Sequence, residues 1–331
     1  MARVSVIVAT HNKRDLLLEA LESVFHQSYR DFDVIVVDDG STDGTPVQVF
    51  SRFGAQPEAI AALARMNPTS IRPFSHSFVH HGLPVHYHYY GNRGLSSARN
   101  RGIRVARSPL LAFLDHEDAW SPDHLALSAE VHEDDAHPVI SYVNECSPKE
   151  RARARAARRD EPLSGMIFEH VLDASQICIS SSMINRVCFN ECGFFDENLP
   201  ACADYDLWLR LCSRYPVVHV PGPQLTRRSV RHRSSSRAWT WDRYRVYALE
   251  KAFQSGHLDP GQRLLVAEEI VRKCERLVDG FTKQTSDERA NFYERKRKRF
   301  ALEVRKLRAS EGLAHAQARL TATPSGAVAA G

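Results

Sequence analysis

An apolar run ends in three carboxylates within four residues in the segment FLDHEDAW (residues 113–120). Asp115, Glu117 and Asp118 supply these carboxylates. Negative charges this close repel each other unless water or a cation shares them. Mg²⁺ and Mn²⁺ favour a few carboxylates together with phosphate oxygens. The cluster is therefore a candidate site for a divalent metal that carries a diphosphate; the alternative is a solvated loop that caps a helix.

Two other predicted strands also end in polar residues. The β-branched run VSVIVAT (residues 4–10) leads into Thr-His-Asn at 10–12, and FDVIVVD (32–38) leads into Asp-Asp-Gly-Ser at 38–41. Ligands of open α/β sheets bind at the carboxyl ends of the strands, so we expect these stretches to form one site. Taken alone, the second stretch would fit an ordinary turn equally well.

The elements that position these residues follow from hydrophobic periodicity. Apolar residues at helical spacing follow the first strand, with Asn12 as the predicted N-cap, and Pro46 suits the first turn of the next helix. Strand and helix patterns alternate over roughly the first 130 residues, which predicts a doubly wound parallel sheet. The stretch 54–84 is rich in Pro, Ser and His and predicts an irregular excursion.

The second half of the chain continues the alternation less regularly. A basic low-complexity run at 149–162 predicts a solvated helix or loop, and ICISSSMI (177–184) predicts a strand. DYDLWLRLC (204–212) predicts a helix in which Trp208 belongs to the core. Helical and charged sequence dominates from residue 239 onward.

Composition narrows the class of protein. With 43% apolar and 25% charged residues among 331, the chain fits one large α/β domain or two smaller ones. Its net charge of +4 says little about partners. The seven cysteines form no CxxC pair, which favours free thiols. Without a signal segment or a run of about 20 apolar residues, the sequence predicts a cytoplasmic protein.

Glycine-rich phosphate loops of the forms GxGxxG and GxxxxGK[ST] are missing after the first strand. A nucleotide diphosphate bound here would need another counter-charge, and a divalent cation on the carboxylates would supply it.

Six segments, taken together and in order, resemble the family 2 glycosyltransferases, which have the GT-A type fold. They are VSVIVATHN, FDVIVVDDGSTDGT, NRGLSSARNRGI, LLAFLDHEDAWSPDHL, GFFDENL and DYDLWLRL, spanning roughly residues 3–215. The resemblance implies an inverting transfer of a sugar from a nucleotide-diphosphate donor to a hydroxyl acceptor. It also implies a divalent metal, Mg²⁺ or Mn²⁺, as cofactor.

The same resemblance assigns roles residue by residue. The catalytic base would be Asp204. The residues implied to contact the donor nucleotide are Thr10, His11, Asn12, Asp39, Arg99, Asn100 and Asp115. The residues implied to face the metal and the diphosphate are Glu117, Asp118 and, more weakly, His232 in the basic stretch SVRHRSSS.

Two departures from the family pattern stand in these segments. Glu117 replaces an aspartate that usually faces the metal, and Ala203 replaces the glutamate that usually precedes the catalytic aspartate. They motivate an alternative hypothesis, a catalytically impaired or regulatory relative that still binds a nucleotide sugar. A nucleotidyltransferase is a second alternative, disfavoured because the glycine-rich phosphate loop is missing.

The predicted organisation is an α/β GT-A fold with a mainly parallel central sheet flanked by helices. Residues 1–238 would form the transferase domain, with a nucleotide-binding half (about 1–120) and an acceptor half (about 121–238). A basic helical extension (239–320) and a disordered tail (321–331) would follow. The implied partners are a UDP-, GDP- or dTDP-sugar and a glycan or lipid-linked acceptor of cell-envelope polysaccharide synthesis. No nucleic-acid partner is expected.

The extension carries eight Lys/Arg among the fifteen residues 294–308. Phe300, Val304 and Leu307 share one helical face there, which could rest on an anionic membrane at the inner face of the cell. The alternative is a solvated helix packed on the protein.

Overall fold

The computed structural model divides the chain into two compact units, Met1–Arg233 and Ser234–Gly331. The residues that it describes are 2–54, 57, 72–133, 137–146, 163–174, 177–227 and 238–321, the last range with side chains to residue 310. The basic run 149–162, His232 and all but the first residue of the predicted tail lie outside these ranges.

A nine-stranded sheet forms the centre of the first unit. Its strands are β1 (Val4–Thr10), β2 (Phe32–Asp38), β3 (Phe74–His80), β4 (Leu83–Tyr89), β5 (Leu110–Asp115), β6 (Asp118–Trp120), β7 (Ile140–Cys146), β8 (Ser182–Asn185) and β9 (Val217–Arg227). They lie in the order β3-β4-β2-β1-β5-β8-β7-β9-β6. The predicted parallel arrangement is confirmed for β4-β2-β1-β5. The whole sheet is mixed, because β7-β9 is parallel and the other neighbouring pairs are antiparallel.

Helices flank this sheet, which confirms the α/β prediction. In chain order they are α1 (Arg14–Phe25), α2 (Thr45–Phe53), α3 (Leu95–Val105), α4 (His124–Glu130), α5 (Phe168–Val171), α6 (Arg186–Cys192) and α7 (Ala203–Cys212). A short 3₁₀ helix, Ile179–Ser181, precedes β8 within the segment predicted as one strand. Pro46 lies in the first turn of α2, as predicted.

Apolar residues on both faces of β1 hold the sheet between helices. Val6 on one face belongs to the same core cluster as Val34 of β2 and Leu17 of α1. The other face approaches α3 so closely that a Cβ on Gly102 would lie 2.4 Å from Ile7 Cγ2. Only glycine permits so close an approach, because any other residue would carry this Cβ. The contact holds α3 against the central strands.

The start of α1 differs from the prediction that Asn12 caps it. The helix begins at Arg14 after Lys13, and Asn12 has a left-handed φ of 50°. Its side-chain oxygen accepts the N–H of Thr42 at 2.7 Å. Asparagine tolerates this backbone conformation better than most residues, so Asn12 joins two loops instead of capping the helix.

Part of the stretch predicted as irregular is a strand. β3 pairs with β4 through a two-residue turn in which His81 and Gly82 both have positive φ, as a type I′ hairpin requires. Alternate residues of β3, beginning at Phe74, are partly buried. Histidine occupies two of these inward positions, so the apolar alternation that marks a strand is hidden in the sequence.

The second unit consists of helices, as predicted from residue 239 onward. A 3₁₀ turn (Ala238–Trp241) leads into α8 (Asp242–Gln254), α9 (Pro260–Lys283) and α10 (Asp287–Thr321). Asp259 and Gln262 form a capping box at the start of α9. Among the described residues, no helix is both long and apolar enough to cross a membrane.

A buried histidine beside β6 gives the first unit a predictable response to acid. His124 is fully buried, stacks on Trp120 with ring centroids 4.2 Å apart, and neither ring nitrogen has a hydrogen-bond partner in the described part of the chain. Burial lowers the pKa of His124 from 6.5 to about 3. As the pH falls, the unfolded chain therefore binds a proton at this histidine before the folded protein does. Stability is lost as the pH falls from about 6.5 towards 3.

We expect the substitution His124→Phe to remove this loss, because phenylalanine keeps the stack on Trp120 and cannot be protonated. At pH 4.5 the free energy of unfolding of the variant should exceed that of the native protein by about 2–3 kcal/mol. This value follows because pH 4.5 lies about two pH units below the ordinary pKa of histidine, and each unit corresponds to about 1.4 kcal/mol. Urea unfolding at pH 4.5 and 7.5 measures this difference. A gain of equal size at both pH values would show that packing, and not protonation, is responsible.

Candidate functional site

The carboxyl ends of β1, β2 and β5 lie at the same level of the sheet. Thr10 is the register partner of Asp38, and Ala9 is the register partner of Asp115. The three polar stretches predicted at separate strand ends are therefore adjacent at one edge of the sheet. Thr10 contributes a buried hydroxyl that has no hydrogen-bond partner among the described residues.

The loops after β1 and β2 are joined by hydrogen bonds. The backbone N–H of Asn12 donates to Ser41 Oγ at 2.9 Å, and the Asn12 side chain binds Thr42 in return. His11 Nδ1 donates to the carbonyl of Asp39 at 2.9 Å, which leaves Nε2 to accept from the side-chain amide of Asn92 at 3.2 Å. The imidazole is thus held in one tautomer and orientation between the two loops.

Asp39 connects β2 to the loop that follows β4. Its two carboxylate oxygens accept the backbone N–H groups of Arg93 and Gly94 at 2.8 and 2.7 Å. Burial raises the pKa of Asp39, and these two hydrogen bonds oppose the increase. The preceding Asp38 is fully buried and accepts the hydroxyl of Tyr87, so it is part of the supporting structure.

Two predicted donor residues on α3 have different surroundings. Arg99 is buried and its Nη2 lies 2.5 Å from Asp115 Oδ1, so it joins the acidic cluster. The side-chain amide of Asn100 instead donates to the carbonyl of Phe195 at 2.9 Å and to Glu197 Oε1 at 2.8 Å. Asn100 therefore holds the turn at residues 195–197 against α3.

Asp118 is a buried carboxyl group of the cluster with a strongly raised pKa. It is 3% exposed, and burial together with the neighbouring carboxylate of Asp115 raises its pKa from 3.8 to about 7. The hydroxyl of Ser180 opposes this increase by hydrogen bonding to Asp118, and Ser180 Oγ also accepts the N–H of Asp115 at 3.0 Å. Glu117 lies half-buried in the turn between β5 and β6.

A second ion pair borders the acidic cluster and was not predicted from the sequence. Arg227, the last residue of β9, is the register partner of Asp118, and its Nη1 lies 2.6 Å from Glu145 Oε2. The positive charge of Arg227 acts on Asp118 and opposes the rise in its pKa. The signal that would have found this pair is the register of β9 with both β6 and β7, which no local motif carries.

The two aspartates in the first turn of α7 differ in environment. Asp206 is fully buried and lies 2.7 Å from Arg210, whose guanidinium also donates to the carbonyl of Phe194 at 2.8 Å. Asp204 is only partly buried, and its Oδ1 accepts the N–H of Tyr205 at 2.9 Å. Asp206 therefore anchors a loop, whereas Asp204 is partly exposed. Trp208 is fully buried, which confirms its predicted place in the core.

The carboxylates of the β5–β6 turn fit a divalent metal by their chemistry. Within the described ranges, no three His, Cys, Asp or Glu side chains are grouped so that they could hold a metal alone. Mg²⁺ and Mn²⁺ that bind a diphosphate need only one or two protein carboxylates, because phosphate and water oxygens fill the other positions. The buried carboxyl of Asp118, disfavoured in its charged form by Asp115, is a suitable ligand.

Comparison with known proteins points to one family. Residues 4–250 match the family model described as "Glycosyltransferase like family 2". An uncharacterized glycosyltransferase of Rickettsia felis is 25% identical over 215 residues, which are 65% of this chain and 31% of that protein. The chain thus spans about a third of the length of the Rickettsia relatives that it matches first.

Two solved structures share the fold. S. aureus TarS 1–349 in complex with UDP has a TM-score of 0.54 and 15% identity, over 95% of this chain and 92% of that one. The mannosyltransferase PcManGT from Pyrobaculum calidifontis, in complex with GDP-Man and Mn²⁺, has a TM-score of 0.50 and 16% identity, over 91% of this chain and 86% of that one. The GT-A type fold is therefore confirmed. Since the family model covers most of the chain, the protein belongs to the family 2-like glycosyltransferases.

Proposed function

We propose that the protein transfers a sugar from a nucleotide diphosphate to a hydroxyl acceptor, with inversion and with the help of a divalent metal. The observation that carries this proposal is the common level of three strand ends. Polar loops suited to a nucleoside lie on two of them, and the acidic cluster lies on the third. In this proposal residues 1–238 form the transferase domain, with the nucleotide half at about 1–120 and the acceptor half at about 121–238.

The nucleoside would bind against the loops after β1 and β2. The held imidazole of His11 offers a flat face to the base, and Asn12 and Thr10 lie beside it. Each carboxylate oxygen of Asp39 already accepts one backbone N–H, from Arg93 or Gly94. Its remaining lone pairs would accept hydrogen bonds from the ribose hydroxyls. UDP-, GDP- and dTDP-sugars are all candidate donors, and the solved relatives contain UDP or GDP-Man.

The diphosphate would bind at the β5–β6 turn. Asp118 would be the main ligand of Mg²⁺ or Mn²⁺, with Glu117 beside it and His232 as a further contact to the diphosphate side. The metal would neutralise the charge that develops on the departing diphosphate. Asp115 already forms an ion pair with Arg99, which makes Asp118 the better candidate ligand for a cation.

Asp204 would act as the general base. Its carboxylate would accept the proton of the acceptor hydroxyl while that oxygen attacks the anomeric carbon from the face opposite the diphosphate. A single displacement of this kind inverts the configuration. The acceptor we propose is a glycan or a lipid-linked saccharide of cell-envelope polysaccharide synthesis.

A second candidate function is favoured by two observations. Glu117 and Ala203 stand where the family usually has aspartate and glutamate, and Ala203 is buried at the start of α7. A relative impaired in catalysis would bind the donor and transfer nothing. Binding and turnover therefore have to be measured separately.

Thermal unfolding with a panel of UDP-, GDP- and dTDP-sugars, with and without Mn²⁺, tests the proposal. At 100 times its Kd a donor adds about 2.7 kcal/mol of stability, which corresponds to a Tm increase of roughly 5–10 °C. We expect this increase for one nucleotide class and only when Mn²⁺ is present. The matching nucleoside without phosphates is the control.

The outcomes separate the two candidate functions. Metal-dependent stabilisation followed by slow hydrolysis of the sugar nucleotide supports the transferase. Stabilisation without turnover on any acceptor supports the impaired relative. If no sugar nucleotide stabilises the protein, both candidates are wrong.

A further inference from the structure

The apolar face of α10 that could have rested on a membrane is occupied within the protein. Phe300 is fully buried, with its ring centroid 5.4 Å from that of Phe253 on α8. Val304 and Leu307, on the same face, are partly buried. Any contact that α10 makes with a partner must therefore use another face.

The outward face of α10 carries a different set of residues, which we call the α10 stripe: Phe292, Arg295, Arg299 and Leu302. Their spacing of three, four and three places them in one line along the helix. Phe292 and Leu302 are 45% and 54% exposed, and the two arginines between them are exposed as well.

The arginines of the stripe differ from most other cations of α10 in their partners. Arg297 and Arg308 form ion pairs with Glu294 and Glu268 at 2.7 and 2.6 Å. Among the described residues, neither Arg295 nor Arg299 forms an ion pair, and the guanidinium of Arg299 lies 5.3 Å from the ring centroid of Phe300. No described residue neutralises their charges, which are therefore suited to bind an anion.

An exposed tyrosine of α8 extends this surface. Lys296 lies 5.1 Å from the ring centroid of Phe292 and also forms an ion pair with Glu250 of α8. Tyr247, one turn before Glu250, is 46% exposed. Tyrosine side chains prefer the boundary between water and lipid, where the ring is buried and the hydroxyl stays hydrated.

We propose that the α10 stripe, together with Tyr247, docks on an anionic lipid surface with the helix lying parallel to the membrane plane. Phe292 and Leu302 would enter the headgroup layer, and Arg295 and Arg299 would bind lipid phosphates. Arginines and aromatic rings would also suit a nucleic acid. Leu302 favours lipid, because an exposed aliphatic side chain gains nothing from a phosphate backbone.

Co-sedimentation of the full chain with vesicles of phosphatidylcholine alone, and with vesicles of phosphatidylcholine mixed with the anionic lipid phosphatidylglycerol, tests this proposal. We expect binding to the anionic vesicles only. Each basic residue at an anionic surface contributes about fivefold in affinity, so Arg295→Gln with Arg299→Gln should weaken binding about 20- to 30-fold. Phe292→Ser with Leu302→Ser should also weaken it at least tenfold, on the order of what two lost apolar contacts predict.

The matched control is Lys306→Gln with Arg308→Gln, which removes the same charge from cations already paired with Glu303 and Glu268. Its effect should be several-fold smaller. Circular-dichroism melting of each variant shows that the helices remain folded. The proposal would be overturned if the control lost as much vesicle affinity as the arginine variant, or if the protein did not bind anionic vesicles. It would also be overturned if a short DNA duplex released the protein from the vesicles. None of these readings depends on transferase activity, so the proposed function can fail independently.

Discussion

The substitution Asp204→Asn is expected to lower the transfer rate about 10²- to 10⁴-fold, the range that loss of a general base produces. An amide cannot accept the proton of the acceptor hydroxyl, whereas its oxygen can still accept the N–H of Tyr205 at the start of α7. The fold and the donor site should therefore be preserved. Steady-state kinetics should show a reduced kcat, and calorimetry should show an unchanged Kd for the donor.

Asp206→Asn is the matched control, since it makes the same change two residues further along the same helix. Asp206 is buried and paired with Arg210, and breaking a buried pair costs about 3–5 kcal/mol. This variant should lose thermal stability, while Asp204→Asn should not. Unchanged turnover in Asp204→Asn, or lost turnover with unchanged Tm in Asp206→Asn, would contradict the assignment of the base.

The parts of the fold that the sequence predicts are those with a strong local pattern. β1, β2 and β5 are continuous apolar runs, and their polar ends mark the edge of the sheet where a ligand can bind. Parallel pairing brings Thr10, Asp38 and Asp115 to the same level once the strands are identified. Local periodicity, together with the rule that ligands bind at the carboxyl ends of parallel strands, was sufficient to predict this half of the candidate site.

The remaining features depend on contacts between residues that are distant in the chain. β3 was missed because His76 and His80 take inward positions that apolar residues usually hold. The pair of Glu145 and Arg227 exists only because β9 runs beside both β6 and β7. Such a register is set by the packing of the whole sheet, so a single segment does not reveal it.

Individual roles were harder to predict than positions. Asn12 was expected to cap α1, and instead it binds the loop after β2 through a left-handed backbone conformation. The implied place of Asn100 along the donor stays a prediction, and its amide also holds the turn that contains Phe195 and Glu197. Both residues carry amides that can satisfy several partners, and only the three-dimensional arrangement decides which partner is close.

The substitution Asp118→Asn is expected to change donor binding and protein stability in opposite directions. Without the carboxylate, Mn²⁺ should no longer support the binding of a sugar nucleotide, and the metal-dependent increase in Tm should disappear. The metal-free variant should nevertheless be more stable than the native protein at pH 8, because the buried carboxylate of Asp118 is charged there and disfavoured by burial and by Asp115.

The direction of this second effect follows from the pKa of Asp118. The folded protein holds the proton up to about pH 7, whereas the unfolded chain releases it near 3.8, so the stability that the group contributes is lost as the pH rises through this window. Three pH units correspond to about 4 kcal/mol, an upper limit for the gain of the variant at pH 8, and the gain should vanish at pH 4. Urea unfolding at both pH values measures it.

Glu117→Gln is the control for Asp118→Asn, since Glu117 is half-buried in the same turn and its loss removes the same charge. It should weaken metal-dependent donor binding less and leave stability at pH 8 nearly unchanged. If Glu117→Gln abolishes donor binding and Asp118→Asn does not, Glu117 is the metal ligand despite its longer side chain. The stability measurement still applies in that case, because the burial of Asp118 disfavours its charge whether or not it binds the metal.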